Sequence, residues 1–402
     1  MKPKYEVAEV LSLGALAYAA KHNLSARQRK VIRDIQECRT SALGGHVDAC
    51  DECGHVRISY NSCRNGHCPK CQSMAREEWM EKRQSELLPV RYFHFVFTLP
   101  SQLHDILRYN ERLLYGQLFK SAWESLNELL GDKKYLGANG GMIAVLHTWG
   151  QNLHYHPHIH CLVPAGGLTA RGKWINARKN YFVPVKALSA LFRAKYIGFL
   201  RQAHKRSALR LEGLCAQWSA YHQMNDLLNT LYKKNWVVYA KEPFAGPEKL
   251  LGYLGRYVKR IAISNDRIVG IDKTRQRVAF RWRDYADENR SKVMSLSWEE
   301  FIRRFLQHIL PARFSKVRYY GLFANRDKTK RLARCRGALG QPVQPKLTPS
   351  TWQERFYRLT GIDPTRCPCC ERGRMHTILL LLPSRAPPLQ GKCRTVVVVN
   401  HS

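Results

Sequence analysis

The sequence is poor in acidic residues. Among its 402 residues, 66 are Lys or Arg and only 31 are Asp or Glu, which gives a formal net charge of +35 with neutral histidine. A typical cytosolic enzyme has nearly equal numbers of basic and acidic residues, so this excess of basic residues is unusual. It indicates a polyanionic partner, because each Lys or Arg that neutralises a phosphate releases a condensed counterion. Nucleic acid is therefore the expected class of partner.

Long apolar runs are also absent. The longest, near Ile378–Leu382, is far shorter than the roughly 20 residues that a membrane span needs. The first twenty residues include Glu6 and Glu9 and lack the apolar core of a signal peptide. We therefore expect an intracellular protein with no membrane partner, and the apolar content of 45% is enough for a folded core.

Charged residues are missing altogether from residues 135–170, although this stretch contains five histidines. Two segments within it have the pattern of β-strands, Met142–Trp149 and Leu153–Val163. The short turn between them predicts an antiparallel hairpin. The aromatic segment Tyr92–Thr98 predicts a further buried strand. Strands and helices alternate irregularly along the chain, which favours an α+β fold with a largely antiparallel sheet.

Composition shifts divide the chain into four regions. We expect a basic helical segment at 1–45, a zinc-binding module at 46–75, the main α+β domain at 76–325, and a basic, Pro-containing C-terminal arm with a Cys-Pro-Cys-Cys cluster at 326–402.

Cysteines are concentrated near the N-terminus, five of them in Cys50–Cys71. Two CxxC pairs at the spacing of a closed tetrahedral site predict a structural zinc ion, with the ligands Cys50, Cys53, Cys68 and Cys71. Cys63 or His67, within the intervening loop, could replace one of these ligands. A second CxxC pair, Cys367 and Cys370, has only His376 and Cys393 as evident partners.

Three histidines alternate in the second predicted strand, at positions 156, 158 and 160. Alternation places all three imidazoles on one face, where uncharged surroundings favour a bound cation. His158 and His160 form the preferred pair. The third ligand is expected to be His147 on the preceding strand, with Gln151 and His156 as alternatives.

Two tyrosines lie one helical turn apart downstream, at positions 253 and 257. Paired tyrosines are usually packing residues, but beside a metal site and a basic helix they suit phosphodiester transfer, with a tyrosine as the nucleophile. Arg256, Lys259 and Arg260 of the same segment are the expected DNA contacts.

At these residues the sequence resembles the HUH rolling-circle transposases of the IS91 insertion-sequence family. The resemblance is carried by Cys50–Gln72, His147–Val163 and Trp236–Ile268, and it spans roughly residues 30–325.

This resemblance implies an N-terminal zinc-binding module and an HUH nuclease palm, a five-stranded antiparallel sheet with flanking helices. His158 and His160 match the metal-binding pair, with magnesium or manganese, and Tyr253 and Tyr257 match the two nucleophiles. The implied enzyme nicks single-stranded DNA at the ends of a mobile element through a 5′-phosphotyrosine. The free 3′-hydroxyl of the nicked strand would prime replication by the host machinery. The enzyme would be located in the bacterial cytoplasm, at the nucleoid.

Two other functions account for part of the pattern. A plasmid replication initiator or a relaxase would share the same site chemistry, and a non-catalytic zinc-ribbon regulator would explain the charge and the cysteines alone. No nucleotide cofactor is expected, because Trp174 follows Lys173 where a phosphate-binding loop needs Ser or Thr.

Overall fold

A computed structural model describes residues 3–178, 183–244, 252, 255, 257–341, 348–384 and 397–398. Its helices are α1 (Val7–Lys21), α2 (Ala26–Gln36), α3 (Gln72–Gln84), α4 (His104–Tyr109), α5 (Glu111–Gly131), α6 (Val185–Lys205), α7 (Tyr221–Lys233), α8 (Trp298–Leu306), α9 (Lys328–Ala338) and α10 (Trp352–Thr360). Its strands are β1 (Gly45–Cys50), β2 (Val56–Tyr60), β3 (Tyr92–Thr98), β4 (Gly141–Trp149), β5 (Tyr155–Pro164), β6 (Gly166–Leu168), β7 (Trp174–Asn176), β8 (Val238–Phe244), β9 (Ile268–Asp272), β10 (Arg277–Asp284), β11 (Arg290–Ser297), β12 (Val317–Gly321), β13 (Met375–Leu381) and β14 (Val397–Val398).

A five-stranded antiparallel sheet forms the centre of the fold, in the order β12-β4-β5-β3-β8. The predicted strand at 92–98 is β3, and the predicted hairpin is β4 with β5. In this hairpin His147 lies directly opposite His158. The α+β class and the five-stranded antiparallel sheet expected from the sequence are both confirmed.

The two faces of this sheet differ because side chains alternate along each strand. Phe93, Phe95 and Phe97 of β3 belong to a large apolar core that also contains buried residues of α4, α5, α6 and α7. These helices cover one face of the sheet. The alternate residues of β3, β4 and β5 therefore point to the opposite face. The histidines of the predicted metal site lie on this second face.

A separate core joins the N-terminal helices to the chain's second half. It contains buried residues of α1, α2, α8, β9 and β10. A Cβ at Gly14 would lie 2.8 Å from Cδ1 of Ile302, so α1 and α8 pack this closely only because position 14 has no side chain. Helix α1 is therefore an apolar packing element, whereas α2 exposes the basic residues Arg29, Lys30 and Arg33.

The last part of the chain returns to the first. Strand β13 pairs with β1, with Leu381 opposite Gly45 and Met375 opposite Cys50, in the four-stranded sheet β14-β13-β1-β2. Helix α10 packs against α3, where the Arg355 guanidinium donates to the Glu81 carboxylate at 3.2 Å. The predicted C-terminal arm is thus packed on the predicted zinc-binding module.

Helices that are both long and apolar enough to cross a membrane do not occur in the part of the chain that the structure describes.

Candidate functional site

Three histidines meet on the second face of the five-stranded sheet. His158 and His160 alternate on β5, and His147 faces them from β4. One ring nitrogen from each lies within 4.8 Å of the others, so these three side chains can hold one metal ion. The structure therefore brings together the predicted pair and the favoured third residue.

The two alternatives for the third position have other contacts. The Gln151 amide donates to the hydroxyl of Tyr285 at 2.8 Å. The His156 side chain is exposed and lies outside the group of three, although its ring centroid is 5.0 Å from that of His158. Its carbonyl oxygen lies 2.7 Å from Nδ1 of His158.

The contacts of His158 and His160 determine which nitrogens can bind a cation. Since a carbonyl only accepts, Nδ1 of His158 carries the hydrogen and Nε2 keeps its lone pair. That Nε2 lies 3.1 Å from Nε2 of His160, and Nδ1 of His160 lies 3.0 Å from Nε2 of His94. When Nδ1 of His160 donates to His94, both Nε2 lone pairs of the β5 pair face each other, an arrangement that a cation stabilises.

The separation of these nitrogens suits two ligands of one metal ion. Two ligand atoms at roughly 2.1 Å from a cation are about 3.0 to 3.4 Å apart, for angles between a right angle and a tetrahedral angle. The observed Nε2 to Nε2 distance is 3.1 Å. The donor set of neutral imidazoles therefore suits a divalent cation.

Burial keeps the three imidazoles uncharged. Desolvation lowers the pKa of His158 to about 3 and moves the pKa values of His147 and His160 well below the ordinary value. Each ring is thus a neutral ligand at physiological pH, ready for a metal without first losing a proton.

Tyr257 lies directly against this cluster. Its ring centroid is 4.2 Å from that of His160 and 5.7 Å from that of His147. Its carbonyl oxygen accepts a hydrogen bond from Nε2 of His147 at 2.8 Å, which ties the two segments together. The other predicted tyrosine, Tyr253, and the predicted DNA contact Arg256 lie outside the described residues.

The segment that carries Tyr257 is pressed against α3. A Cβ at Gly255 would collide with the sulfur of Met80 on that helix. Position 255 therefore needs glycine for the close approach. This packing connects the histidine site to the cysteine-rich module, since α3 begins immediately after Cys71.

Four cysteines around the start of α3 form a first thiol cluster, Cys38, Cys63, Cys68 and Cys71. The Sγ atom of Cys71 lies 3.6 Å from that of Cys38 and 3.7 Å from that of Cys63. The neighbouring thiols donate hydrogen bonds to the Cys71 thiolate and lower its pKa. Negative charge gathered in this way suits a tetrahedral zinc ion.

The predicted grouping of Cys50 and Cys53 with Cys68 and Cys71 is wrong, because the β1–β2 hairpin holds the two pairs apart. Gly45 pairs with Tyr60 at the base of this hairpin, and Cys50 ends β1 at the other end. Five steps of roughly 3.3 Å along a strand separate these ends by about 16 Å.

The displaced pair forms a second thiol cluster with the C-terminal arm, Cys50, Cys53, Cys367 and Cys370. The Sγ atoms of Cys50 and Cys370 are 3.7 Å apart, and those of Cys53 and Cys367 are 3.6 Å apart. Of the partners expected for the C-terminal pair, His376 instead contacts the Asp51 carboxylate at 3.3 Å, and Cys393 lies outside the described residues.

Comparison with known proteins identifies the family. The family model described as "Putative transposase" matches residues 141–331, and the model described as "Transposase zinc-binding domain" matches residues 11–99. The chain is 47% identical over 388 residues to "Putative transposase y4qJ" of Sinorhizobium fredii, covering 95% of this chain and 97% of the relative. The chain belongs to the IS91 family of transposases.

A second relative of this transposase supports the same family. The "Transposase for insertion sequence element IS801" of Pseudomonas savastanoi pv. phaseolicola is 29% identical over 354 residues, 87% of this chain and 83% of the relative. No solved structure matches the chain. Membership implies a DNA-processing enzyme that binds DNA, and the zinc-binding domain together with the cysteine clusters supports a structural zinc.

The two family models match different parts of the chain, and each part contains a different one of the sites described above. The zinc-binding range contains the complete first thiol cluster and only Cys50 and Cys53 of the second. The transposase range contains the three histidines and Tyr257. His94 contacts His160 from the neighbouring strand but was not predicted as a site residue. It lies in the zinc-binding range and not in the transposase range.

A cationic groove runs past Tyr257 in this transposase. Its volume is about 1610 Å³, and among the described residues of its lining only Glu6 and Asp266 are acidic. The basic residues of the lining are Arg39, Lys70, Arg76, Lys259, Arg260, Arg267, Arg281 and Arg283. Aromatic rings of Trp282, Tyr285 and Phe356 also line the groove, which thus offers positive charge to a phosphate backbone and rings on which bases can stack.

Sequence reasoning singled out Lys259 and Arg260 of this groove but missed Arg267, which also lines it, and Lys316, which lies behind Arg260. Burial lowers the pKa of Arg267 to about 10, which leaves its guanidinium charged. Burial and the nearby Lys259 ammonium lower the pKa of Lys316 to about 7, and its Nζ donates to the carbonyl of Arg260 at 3.1 Å. Only the tertiary fold brings these cations beside the tyrosine segment, so local spacing contained no signal for them.

Proposed function

We propose that this transposase cuts single-stranded DNA at the ends of its element through a covalent 5′-phosphotyrosine and moves the element by rolling-circle transposition. The observation that carries the proposal is the contact between the Tyr257 ring and the His160 imidazole, 4.2 Å between centroids, beside a cationic groove. The proposed nucleophile, Tyr257, thus lies beside the proposed metal ligand His160 and beside a groove that can take up the phosphate backbone.

His158, His160 and His147 would hold a magnesium or manganese ion. When bound, this ion neutralises charge on a non-bridging phosphate oxygen and so makes phosphorus easier to attack. The protein's own part is to keep the imidazoles neutral by burial and to orient them. The carbonyl of His156 orients His158, and the ring of His94 orients His160.

Tyr257 supplies the nucleophile in this proposal. Its phenol loses a proton, and the phenolate oxygen forms a bond to phosphorus as the bond from phosphorus to the 3′ oxygen breaks. The 3′ oxygen takes up a proton and leaves as the hydroxyl that primes host replication. Since the new ester conserves the energy of the broken phosphodiester, strand joining by the reverse step needs no nucleotide cofactor.

Tyr253 is assigned the second strand-transfer step. It stands four residues before Tyr257 in the sequence, a spacing that in a helix would allow one phenol to hold a strand while the other attacks a second. Arg256, Lys259 and Arg260 would pair with phosphates on either side of the cleaved bond. With DNA as its substrate, the enzyme would act in the bacterial cytoplasm at the nucleoid.

Trapping of the covalent intermediate tests this proposal. Wild-type protein, incubated with labelled single-stranded terminal DNA and Mn²⁺, should give a band that survives denaturation. Tyr257→Phe should reduce this adduct at least tenfold while DNA binding is retained. Tyr285→Phe is the matched control, because Tyr285 lines the same groove and should trap DNA like the wild type. An undiminished adduct in the Tyr253→Phe/Tyr257→Phe double variant would refute the nucleophile assignment.

Replication initiators and relaxases would pass the same trapping test. Transposition is favoured here because both relatives are named as transposases. A two-plasmid assay separates the functions. Movement of a marker flanked by the element's own ends supports a transposase, whereas cutting confined to a plasmid origin or a transfer region contradicts it.

A further inference from the structure

The second thiol cluster is not explained by the family comparison. Cys50 and Cys53 lie within the zinc-binding range 11–99, but Cys367 and Cys370 lie beyond both matched ranges. The geometry points to a second structural zinc ion, held by these four thiolates, that fastens the C-terminal arm to the N-terminal module. This inference is independent of the proposed cleavage chemistry.

The sulfur separations match a tetrahedral zinc site. Four thiolates at roughly 2.3 Å from zinc are about 3.8 Å apart at the corners of a tetrahedron. The two observed separations across the cluster are 3.7 Å and 3.6 Å. A disulfide would need about 2.0 Å, so the four sulfurs are spaced for a shared ion rather than for covalent pairing.

Backbone amides surround the sulfurs as they do in a zinc knuckle. The Sγ of Cys50 accepts from the amides of Glu52 and Cys53 at 3.4 and 3.5 Å. On the facing loop, Sγ of Cys367 accepts from the amide of Cys369 at 3.3 Å, and Sγ of Cys370 accepts from Gly373 at 3.4 Å. Such hydrogen bonds stabilise sulfur as a thiolate, the form that binds metal.

Glycine at position 373 allows the two loops to meet. A Cβ there would collide with Sγ of Cys50 and would come within 2.7 Å of the Asp51 carboxylate. The same carboxylate accepts from the amide of Arg374 at 2.8 Å. The C-terminal loop is thus fitted to the N-terminal one at the sulfurs, and β13 continues the contact as a strand beside β1.

This second ion would stabilise one wall of the cationic groove. Helix α10 ends seven residues before Cys367, and its residues Phe356, Leu359 and Thr360 line the groove. It is also held on α3 by the ion pairs of Arg355 and Arg358 with Glu81, at 3.2 Å and 3.8 Å. Loss of the zinc would therefore loosen α10 and the groove wall while leaving the histidine site in place.

Metal content of the full-length protein tests the inference. Protein purified under reducing conditions should contain two zinc ions per chain by inductively coupled plasma mass spectrometry. Cys370→Ser should contain one, and protease should then cut within 352–384 at least tenfold faster. Cys369→Ser is the matched control, since Cys369 is a neighbouring exposed cysteine outside the cluster, and it should retain both ions.

Two results would overturn the inference: one zinc ion in the wild type, or two in Cys370→Ser. If Cys370→Ser fails to fold, Cys370→His keeps a metal ligand and should restore two ions. Exchange of the bound zinc for cobalt in the wild-type chain gives an independent measure. Two equivalents of cobalt should develop the sulfur-to-cobalt charge-transfer band, and saturation at one equivalent contradicts a second site.

Discussion

The imidazoles of His94 and His160 are parallel on neighbouring strands, with an interplanar angle of 9° and 3.0 Å between Nε2 of His94 and Nδ1 of His160. His94 is buried on β3, so its contact with His160 is shielded from water. Its ring therefore sets which nitrogen of His160 carries the hydrogen, and through it which nitrogen faces the metal position.

Replacement of His94 should weaken metal binding at the histidine site. His94→Phe retains a ring of similar size but removes the acceptor for Nδ1 of His160. We expect the Mn²⁺ affinity, measured by isothermal titration calorimetry, to fall roughly 10- to 100-fold. His154→Ala is the control, because His154 is an exposed histidine just before the strand of His160 and lies outside the group of three. Equal affinities for His94→Phe and the wild type would contradict the tautomer role.

The stability of the protein should depend on the protonation of Lys316. Its pKa falls from 10.5 to about 7 on folding, so between these pH values the unfolded chain binds more protons. The free energy of unfolding should therefore rise with pH across this window and lose that slope below pH 7. In Lys316→Met this contribution should vanish. Chemical denaturation of both proteins between pH 6 and about 9.5 measures the difference, and parallel curves would show that Lys316 does not titrate in this range.

A side chain at position 255 should disturb the packing of the tyrosine segment on α3. Gly255→Ala places a Cβ against Met80 and should reduce the free energy of unfolding by about 1–3 kcal/mol. Met80→Ala should relieve the collision, so the double variant should be more stable than the sum of the two changes predicts. Gly252→Ala meets nothing within 4 Å and should be neutral or slightly stabilising. Additive effects of Gly255→Ala and Met80→Ala would show that the collision is not the cause.

A groove lysine should contribute to the salt dependence of DNA binding. Each phosphate contact adds about 0.7 to the slope of log affinity against log salt for a single strand. Lys259→Gln should lower this slope by about that amount, measured by fluorescence anisotropy with single-stranded oligonucleotides. Lys133→Gln, an exposed lysine outside the groove lining, should leave the slope unchanged. An unchanged slope in Lys259→Gln would place the strand elsewhere.

The shared face of the β5 histidines was predictable from local alternation, whereas the five-stranded sheet was expected from the family resemblance. His158 and His160 share a face at any register, since successive side chains on a strand point in opposite directions. The third residue also required the pairing of β4 with β5. The short turn after Trp149 limits that pairing, and the observed register sets His147 opposite His158.

The thiol clusters were not predictable by the same reasoning. Spacing within the chain suggested that Cys50 and Cys53 share an ion with Cys68 and Cys71, but the β1–β2 hairpin separates these pairs. The true partners, Cys367 and Cys370, are brought in by the pairing of β1 with β13. Strand pairing across such a distance in sequence depends on the whole fold, and a single sequence contains no local signal for it.

The junction between Cys50 and Cys370 also sets an order of events during synthesis. The two residues are 320 positions apart in the chain. At roughly 5–20 residues per second, a ribosome needs about 16–64 s to deliver the second after the first. During that interval the outer edge of β1 lacks its neighbour. Nascent chains that stop before β13 would keep this edge open, so the edge of β1 is closed only in chains extended beyond Cys370.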